Sequence, residues 1–125
     1  MTLDLPKIES DHFSAHGGLE DKVIRVCFAG NADLAGREAL ERLLVKLHDE
    51  VIRLSCTEVI VDFHELEFMN SSCFKSFVAW INSVQELETG KQYRIRILSD
   101  PAMLWQRRSL HALKCFAVNL IEVES

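Results

Sequence analysis

The chain alternates between two hydrophobic periodicities, and this alternation most strongly limits the folds that it can adopt. Residues 22–29, 58–63 and 93–98 have the composition of strands, and a segment with helical periodicity follows each of them. Because a strand–helix–strand order requires crossover connections, neighbouring strands should run mostly parallel, with helices packed against the sheet. The sequence therefore predicts a single α/β domain over residues 1–125, with a mixed, mostly parallel sheet.

The first half of the pattern has a clear strand-to-helix junction. Residues 22–29 should form a strand that breaks at Gly30, and Asp33 should cap the following helix by accepting from its free N–H groups. That helix carries a buried stripe at helical spacing. The stripe consists of Leu40, Leu43, Leu44, Leu47 and Val51.

The middle of the chain reads as a central strand followed by a second helix. Residues 58–63 contain three consecutive β-branched residues, which predicts a strand covered on both faces. A short apolar step at 66–69 then leads to Asn70, Ser71 and Ser72, which are typical helix N-cap residues. The next helix is indicated by apolar residues at helical spacing, and Gly90 should end it. These residues are Phe74, Phe77, Val78, Ile81 and Val84.

The ends of the chain give weaker signals. Residues 93–98 predict a strand with Arg94 and Arg96 on one face, most simply paired with glutamates of this chain. Asp100 and Pro101 should begin a third helix, which runs through Leu104, Leu110 and Leu113. Residues 117–121 should form an edge strand, and residues 3–8 and 12–15 are candidate strands that pair with 22–29. Trp80 and Trp105 are expected in the core, with exposure as a partner anchor left open.

Composition and charge narrow the partners. With 48% hydrophobic and 26% charged residues, the chain has the make-up of a soluble globular protein. Its formal net charge of −5 disfavours binding to the negatively charged phosphate backbones of nucleic acids, so we expect no direct nucleic-acid binding. No apolar run approaches the roughly 18 residues of a membrane span, and the N-terminus does not resemble a signal peptide, so a cytoplasmic location is expected.

Metal, cofactor and catalytic motifs are missing from the sequence. The four cysteines, Cys27, Cys56, Cys73 and Cys115, have no paired spacing and are expected to be buried free thiols. The five histidines are scattered, and no phosphate-binding or nucleophile-elbow motif is present. We therefore expect no metal, no cofactor and no enzymatic activity. A nucleophilic Ser71 or Ser72 would need a nearby base, and His64 is only the nearest histidine in sequence.

The junction at Asn70, Ser71 and Ser72 has two interpretations. In the simpler one, Asn70 or Ser71 merely caps the helix. In the other, a serine at the helix N-terminus accepts a phosphate, which the helix dipole and the free N–H groups would tolerate.

Taken together, these segments resemble the STAS domain of anti-sigma factor antagonists. The resemblance is carried by residues 23–28, the turn from Gly30 to Asp33, the strand 59–63, the step 66–69 and the loop 70–74, and it covers residues 20–123. It implies a non-enzymatic module that binds a kinase-like anti-sigma factor. It also implies phosphorylation at Ser71, with Ser72 as the alternative. A monomer or a weak homodimer is expected from the sequence itself, because the final edge strand is available for pairing with a second copy.

The resemblance further implies a partner-binding surface formed by Asp33, Asn70, Ser71, Ser72 and Cys73. Two of these residues differ from the family pattern: Asn70 replaces an aspartate, and Cys73 replaces a glycine, so that its side chain is either buried or in the way of a partner. These changes leave room for a constitutive STAS adaptor in a signalling or transport assembly, without a phosphorylation switch. A small-ligand sensor or enzyme with a pocket near Asp33 and Ser71 is a third interpretation.

Overall fold

The computed structural model describes residues 2–124 as one α/β domain. Those residues form six strands in one sheet, in the order β1-β2-β3-β4-β5-β6, and three α-helices. The β1–β2 and β2–β3 pairs are antiparallel and the other three pairs are parallel, which confirms the predicted mixed, mostly parallel sheet. The elements are β1 (Ile8–Glu9), β2 (Phe13–Glu20), β3 (Val23–Ala32), α1 (Arg37–Arg53), β4 (Glu58–Met69), α2 (Ser71–Gln85), β5 (Arg94–Leu98), α3 (Leu104–Phe116) and β6 (Ile121–Glu124).

The helices pack on one face of the sheet, which we call the inner face. The Phe77 ring of α2 lies 5.6 Å from Phe28 of β3 and 5.4 Å from Phe63 of β4, measured between ring centroids. The Trp105 ring of α3 lies 6.2 Å from Phe63. Each buried side chain of this size stabilises the fold by roughly 1.5–3 kcal/mol. The predicted stripe of α1 is confirmed, because all of its members are buried: Leu40, Leu43, Leu44, Leu47 and Val51.

The opposite, outer face of the sheet carries ion pairs and, within residues 2–124, no helix. Arg25 contacts Asp62 at 2.7 Å, and Arg96 contacts Glu58 at 3.2 Å. Ile60 is only half-buried on this face, so the prediction that the central strand is covered on both sides is wrong. The predicted pairing of the strand arginines with glutamates is confirmed, since Arg94 also lies 3.6 Å from Glu122.

Strand β3 continues past Gly30 to Ala32, so the predicted break at Gly30 is wrong. Gly30 adopts φ +88°, a left-handed conformation that favours glycine, and a register shift follows it in the pairing with β4. The backbone bends there without leaving the sheet. As a result β4 also extends, to Met69, and the apolar step 66–69 belongs to this strand.

Helices α2 and α3 differ from their predicted limits. Helix α2 ends at Gln85, and Gly90 lies in a separate short turn. The side-chain amide of Gln92 donates to the Gln85 carbonyl at 3.1 Å, so no glycine is needed to satisfy this helix end. Helix α3 begins at Leu104 instead of Pro101, because the Asp100 carboxylate accepts from the Ala102 N–H at 3.0 Å and forms a local turn.

The edges of the sheet are also displaced from their predicted positions. Strand β6 begins at Ile121, because the Ala117 carbonyl accepts from the Leu120 N–H at 2.9 Å and closes a turn where the edge strand was expected. At the other edge, β2 pairs with β3 as predicted, whereas β1 pairs with β2.

The tryptophans and cysteines divide between core and surface. Trp80 is buried and donates from Nε1 to the Tyr93 hydroxyl at 2.8 Å, whereas Trp105 is half-buried. All four cysteines are free thiols, as predicted, but only two of them are buried; Cys27 is half-buried and Cys115 is exposed. Among residues 2–124, the helices are all too short or too polar to cross a membrane.

Candidate functional site

The parallel pairing of β3 and β4 places two loops side by side at the carboxyl ends of these strands. Ala32 lies opposite Met69 in the register, and the Asn70 N–H donates to the Ala32 carbonyl at 2.9 Å. The turn that begins at Asp33 is therefore held directly against the start of α2. In open α/β sheets, binding sites commonly form at this end of the strands.

Asn70 is the N-cap of α2. Its backbone is extended (φ −78°, ψ 168°), and its Oδ1 accepts from the Cys73 N–H at 3.0 Å. The capping interpretation is thus confirmed for Asn70, which satisfies one of the free N–H groups of the first turn. Ser71, which begins the helix, is left exposed, and Ser72 is half-buried.

Cys73 is buried and connects the two loops. Its side chain is 0% exposed, and its Sγ donates to the Asp33 carbonyl at 3.4 Å. Burial raises the pKa of the Cys73 thiol, and the Asp33 carboxylate raises it further. Of the two alternatives for this side chain, the buried one is therefore correct.

Asp33 is half-buried and caps the turn between β3 and α1. Its Oδ1 accepts from the Gly36 N–H at 3.2 Å, which confirms the predicted capping role, although the capped element is a short 3-10 turn that leads into α1. The carboxylate holds the entry to α1, while the carbonyl of the same residue holds Cys73.

Two exposed apolar side chains flank these loops. Leu34, which follows Asp33, is 65% exposed, and Phe68, two residues before Asn70, is 46% exposed. Sequence reasoning missed both, since Phe68 was assigned only to an apolar step that leads to the loop; their proximity in sequence to the candidate loop was the available signal. We call the group Asp33, Leu34, Phe68, Asn70 and Ser71 the strand-end surface.

Basic side chains lie close to the strand-end surface. Lys75 is exposed and lies four residues after Ser71, so both project from the same side of α2. Arg37, at the start of α1, contacts Glu41 at 3.3 Å and opposes the rise in the Cys73 pKa. A negative group on Ser71 would therefore face positive charge as well as the positive end of the helix dipole.

A cleft of about 430 Å³ lies beside Asp33, between the N-terminal segment and α1. Its lining includes Asp33, His12, Gly36 and Arg42, and Ser71 is not part of it. The structure thus does not join Asp33 and Ser71 in this pocket. His64, the nearest histidine to the serines in sequence, contacts Asp62 at 3.0 Å on the outer side of the sheet.

Together, the six-strand sheet, the helices on its inner face and the loop at the start of α2 define a STAS-like domain. The chain is similar to an anti-sigma factor antagonist from Mycobacterium paratuberculosis, with 19% identity, a TM-score of 0.61, and coverage of 86% of this chain and 84% of that one. The anti-sigma factor antagonist SpoIIAA in its unphosphorylated form is 14% identical, with a TM-score of 0.62 and coverage of 89% and 88%. The Bacillus cell fate determinant SpoIIAA in its phosphorylated form is 14% identical, with a TM-score of 0.59 and coverage of 89% of this chain and 91% of that one.

No family model matches the chain, and no curated protein matches it. The identities to the solved structures are below the level at which function follows from similarity. The comparisons therefore show the fold.

Proposed function

We propose that this chain is a non-enzymatic protein-interaction module of the anti-sigma factor antagonist type. It binds a kinase-like anti-sigma factor in the bacterial cytoplasm through the strand-end surface, and phosphorylation of Ser71 releases that partner. The observation that carries the proposal is the exposure of Ser71 at the first position of α2, beside Asn70, which already performs the capping. The similarity to SpoIIAA, which is known in a phosphorylated and an unphosphorylated form, supports it.

The start of α2 is suited to hold a phosphate on Ser71. A phosphoserine carries about −1.5 to −2 charges near neutral pH, and free N–H groups at a helix N-terminus favour such charge. Lys75, one turn further along the same side of the helix, adds an opposite charge. The modified domain should therefore remain folded.

The same phosphate would oppose docking of a partner. Leu34, next to Asp33, and Phe68, two residues before Asn70, offer exposed apolar area, and contacts of that kind gain from excluding water. A doubly charged group on Ser71 must keep its hydration, so a partner that covers it incurs a desolvation cost. Modification thus acts on the interface and leaves the fold in place.

Ser71 is a better acceptor than Ser72. Ser71 is exposed, whereas Ser72 is half-buried and its carbonyl accepts from the Ser76 hydroxyl at 3.3 Å inside the helix. A kinase reaches the Ser71 hydroxyl without unwinding the first turn. The buried Cys73 supports the surface through its hydrogen bonds to Asn70 and Asp33, and the half-buried Ser72 lies between Ser71 and Cys73 in the first turn of α2.

The alternative is a constitutive adaptor with the same fold and no switch. The neutral Asn70 favours it, because this residue lacks the negative charge that the family pattern places beside the acceptor serine. In that case the strand-end surface binds a partner that is neither a kinase nor related to sigma factors.

Affinity purification of Ser71 variants tests the proposal. The tagged chain, expressed in its own source organism, should retain its partner as the S71A variant and lose about tenfold in affinity as S71D. T89D is the charge-matched control, since Thr89 is exposed in the turn after α2, far along the chain from the strand-end surface. Equal recovery of one partner by S71A, S71D and T89D would contradict the switch.

A further inference from the structure

The two loops of the strand-end surface are joined by the backbone hydrogen bond from Asn70 to Ala32 and, through a side chain, by the buried Cys73. Cys73 donates its backbone N–H to Asn70 Oδ1 at 3.0 Å and its thiol to the Asp33 carbonyl at 3.4 Å. Asp33 in turn accepts the Gly36 N–H at 3.2 Å, immediately before α1 begins. A continuous chain of hydrogen bonds therefore runs from the cap of α2 to the start of α1.

We propose that Cys73 is a positioning residue that transmits a charge change at Ser71 to the Asp33 turn, so that both loops of the strand-end surface respond together. This inference rests on the proposed function, in which Ser71 is the residue that gains charge. It assigns to Cys73 a role that depends on its thiol, at a position where the family pattern has glycine and no side-chain donor.

The coupling begins at the Cys73 N–H. An anionic group on Ser71 competes with Asn70 Oδ1 for the free N–H groups of the first turn, and hydrogen bonds to charged acceptors are the stronger ones. As the first turn adjusts, the Cys73 side chain moves with it. Since this side chain is fully buried, it has no free volume in which to move without disturbing its neighbours.

The coupling ends at the Asp33 turn. The raised pKa keeps the Cys73 thiol protonated near neutral pH, so it remains a donor to the Asp33 carbonyl. Movement of Sγ lengthens or shortens that hydrogen bond and shifts the Asp33 backbone. Because Asp33 also caps the Gly36 N–H, the disturbance reaches the amide of Gly36 and the exposed Leu34 between them.

Amide chemical shifts of the isolated chain test this coupling without any partner. In ¹H–¹⁵N spectra, S71E should shift the amides of Asp33 and Gly36 in the wild-type background and in C73S, which keeps a hydroxyl donor at this position. In C73A, which removes the donor, the same S71E change should shift these two amides no more than the T89D control does. The amide of Val59, at the other end of β4, serves as an internal reference.

Two results would overturn the inference. One is a shift at Gly36 in C73A as large as in the wild type, and the other is no shift at Gly36 in the wild type although Ser72 and Cys73 themselves respond. If C73A does not fold, the comparison of C73S with C73V decides, because valine fills the buried site and only serine carries a donor. If the coupling is observed but Ser71 is never phosphorylated in the source organism, this inference holds and the proposed switch is wrong. The two failures are therefore distinguishable.

Discussion

The side-chain oxygen of Asn70 lies 3.0 Å from the backbone nitrogen of Cys73. This hydrogen bond assigns helix capping to Asn70, so that capping and phosphate acceptance fall on different residues of the loop. Asn70 performs the capping of α2, so Ser71 at the next position has no structural duty as the cap and is exposed. A side chain in this situation can be modified or substituted with little effect on folding. The free energy of unfolding and partner binding should therefore respond to different residues of the same loop.

Substitution of Asn70 should affect stability in a way that reflects its capping role. N70A removes the acceptor for the Cys73 N–H and should lower the free energy of unfolding by about 1 kcal/mol. N70D keeps an acceptor of the same geometry and should stay close to the wild type. Urea denaturation of both variants, with S71A as an unaffected neighbour, measures the difference; equal stabilities of N70A and N70D would show that the cap is unimportant.

The bend in β3 should depend on Gly30. Gly30 has φ +88°, and a Cβ at this position would clash with the His12 carbonyl oxygen, so G30A should lower the free energy of unfolding by about 1–3 kcal/mol. G18A is the matched control, because a Cβ on Gly18 in β2 meets no heavy atom within 4 Å. Thermal or urea unfolding measures both, and a G30A variant as stable as G18A would refute this view of the bend.

The stability of the fold should fall in mild acid because of His48. The Tyr93 hydroxyl accepts from Trp80 Nε1 at 2.8 Å, so its single proton is directed to His48 Nδ1 at 2.7 Å, which requires a neutral imidazole. Burial lowers the pKa of His48 below its ordinary value of 6.5, with Asp49 opposing. Because the unfolded chain binds this proton more readily, the contribution is complete above pH 6.5 and is lost as the pH falls toward the lowered pKa.

The variant H48N isolates this effect. Asparagine keeps an acceptor near the Tyr93 hydroxyl but does not titrate, so the difference in unfolding free energy between wild type and H48N should change below pH 6.5 and be constant above it. Glu41 and Asp49 line the same cleft from α1 and remain in both proteins. A difference that does not depend on pH would contradict the neutral assignment.

A second loss of stability should occur in stronger acid through Glu50. This residue is 2% exposed and accepts from Arg53 Nε at 2.7 Å and from the Asp4 N–H at 2.6 Å, and these hydrogen bonds lower its pKa from 4.5 to about 2. Its contribution is therefore complete above pH 4.5 and is lost as the pH falls toward 2. E50Q should be less stable than wild type at neutral pH and lose less on acidification, whereas E65Q, at an exposed position, should follow the wild type.

The order of the elements and the buried helix face could be predicted because they depend on periodicity alone. The stripe of α1 from Leu40 to Val51 and the cap at Asp33 follow from local spacing and local hydrogen bonds, and both are confirmed. The uncovered outer face could also have been inferred. Ile60 shares its side of β4 with Glu58 and Asp62, and such charged neighbours favour a solvated face over a second buried one.

The errors lie where a distant contact decides a local structure. Gly30 reads as a strand breaker, yet pairing with β4 keeps it in the sheet. Gly90 reads as a helix stop, yet the amide of Gln92 satisfies the end of α2 earlier in the chain. For Leu34 and Phe68, proximity to the candidate loop pointed to a role in the site but not to their exposure, since an apolar side chain near a strand end gives no local sign of whether another element covers it.

Phosphopeptide mass spectrometry on the protein from its own source tests directly whether Ser71 is the switch residue. The tryptic peptide 54–75 also contains Ser55, Thr57 and Ser72, so fragmentation must locate the phosphate. Phosphate should be found on Ser71, at an occupancy that changes between growth with and without stress. A peptide that is unmodified under every condition, recovered with a constant partner, would contradict the switch and favour the constitutive adaptor.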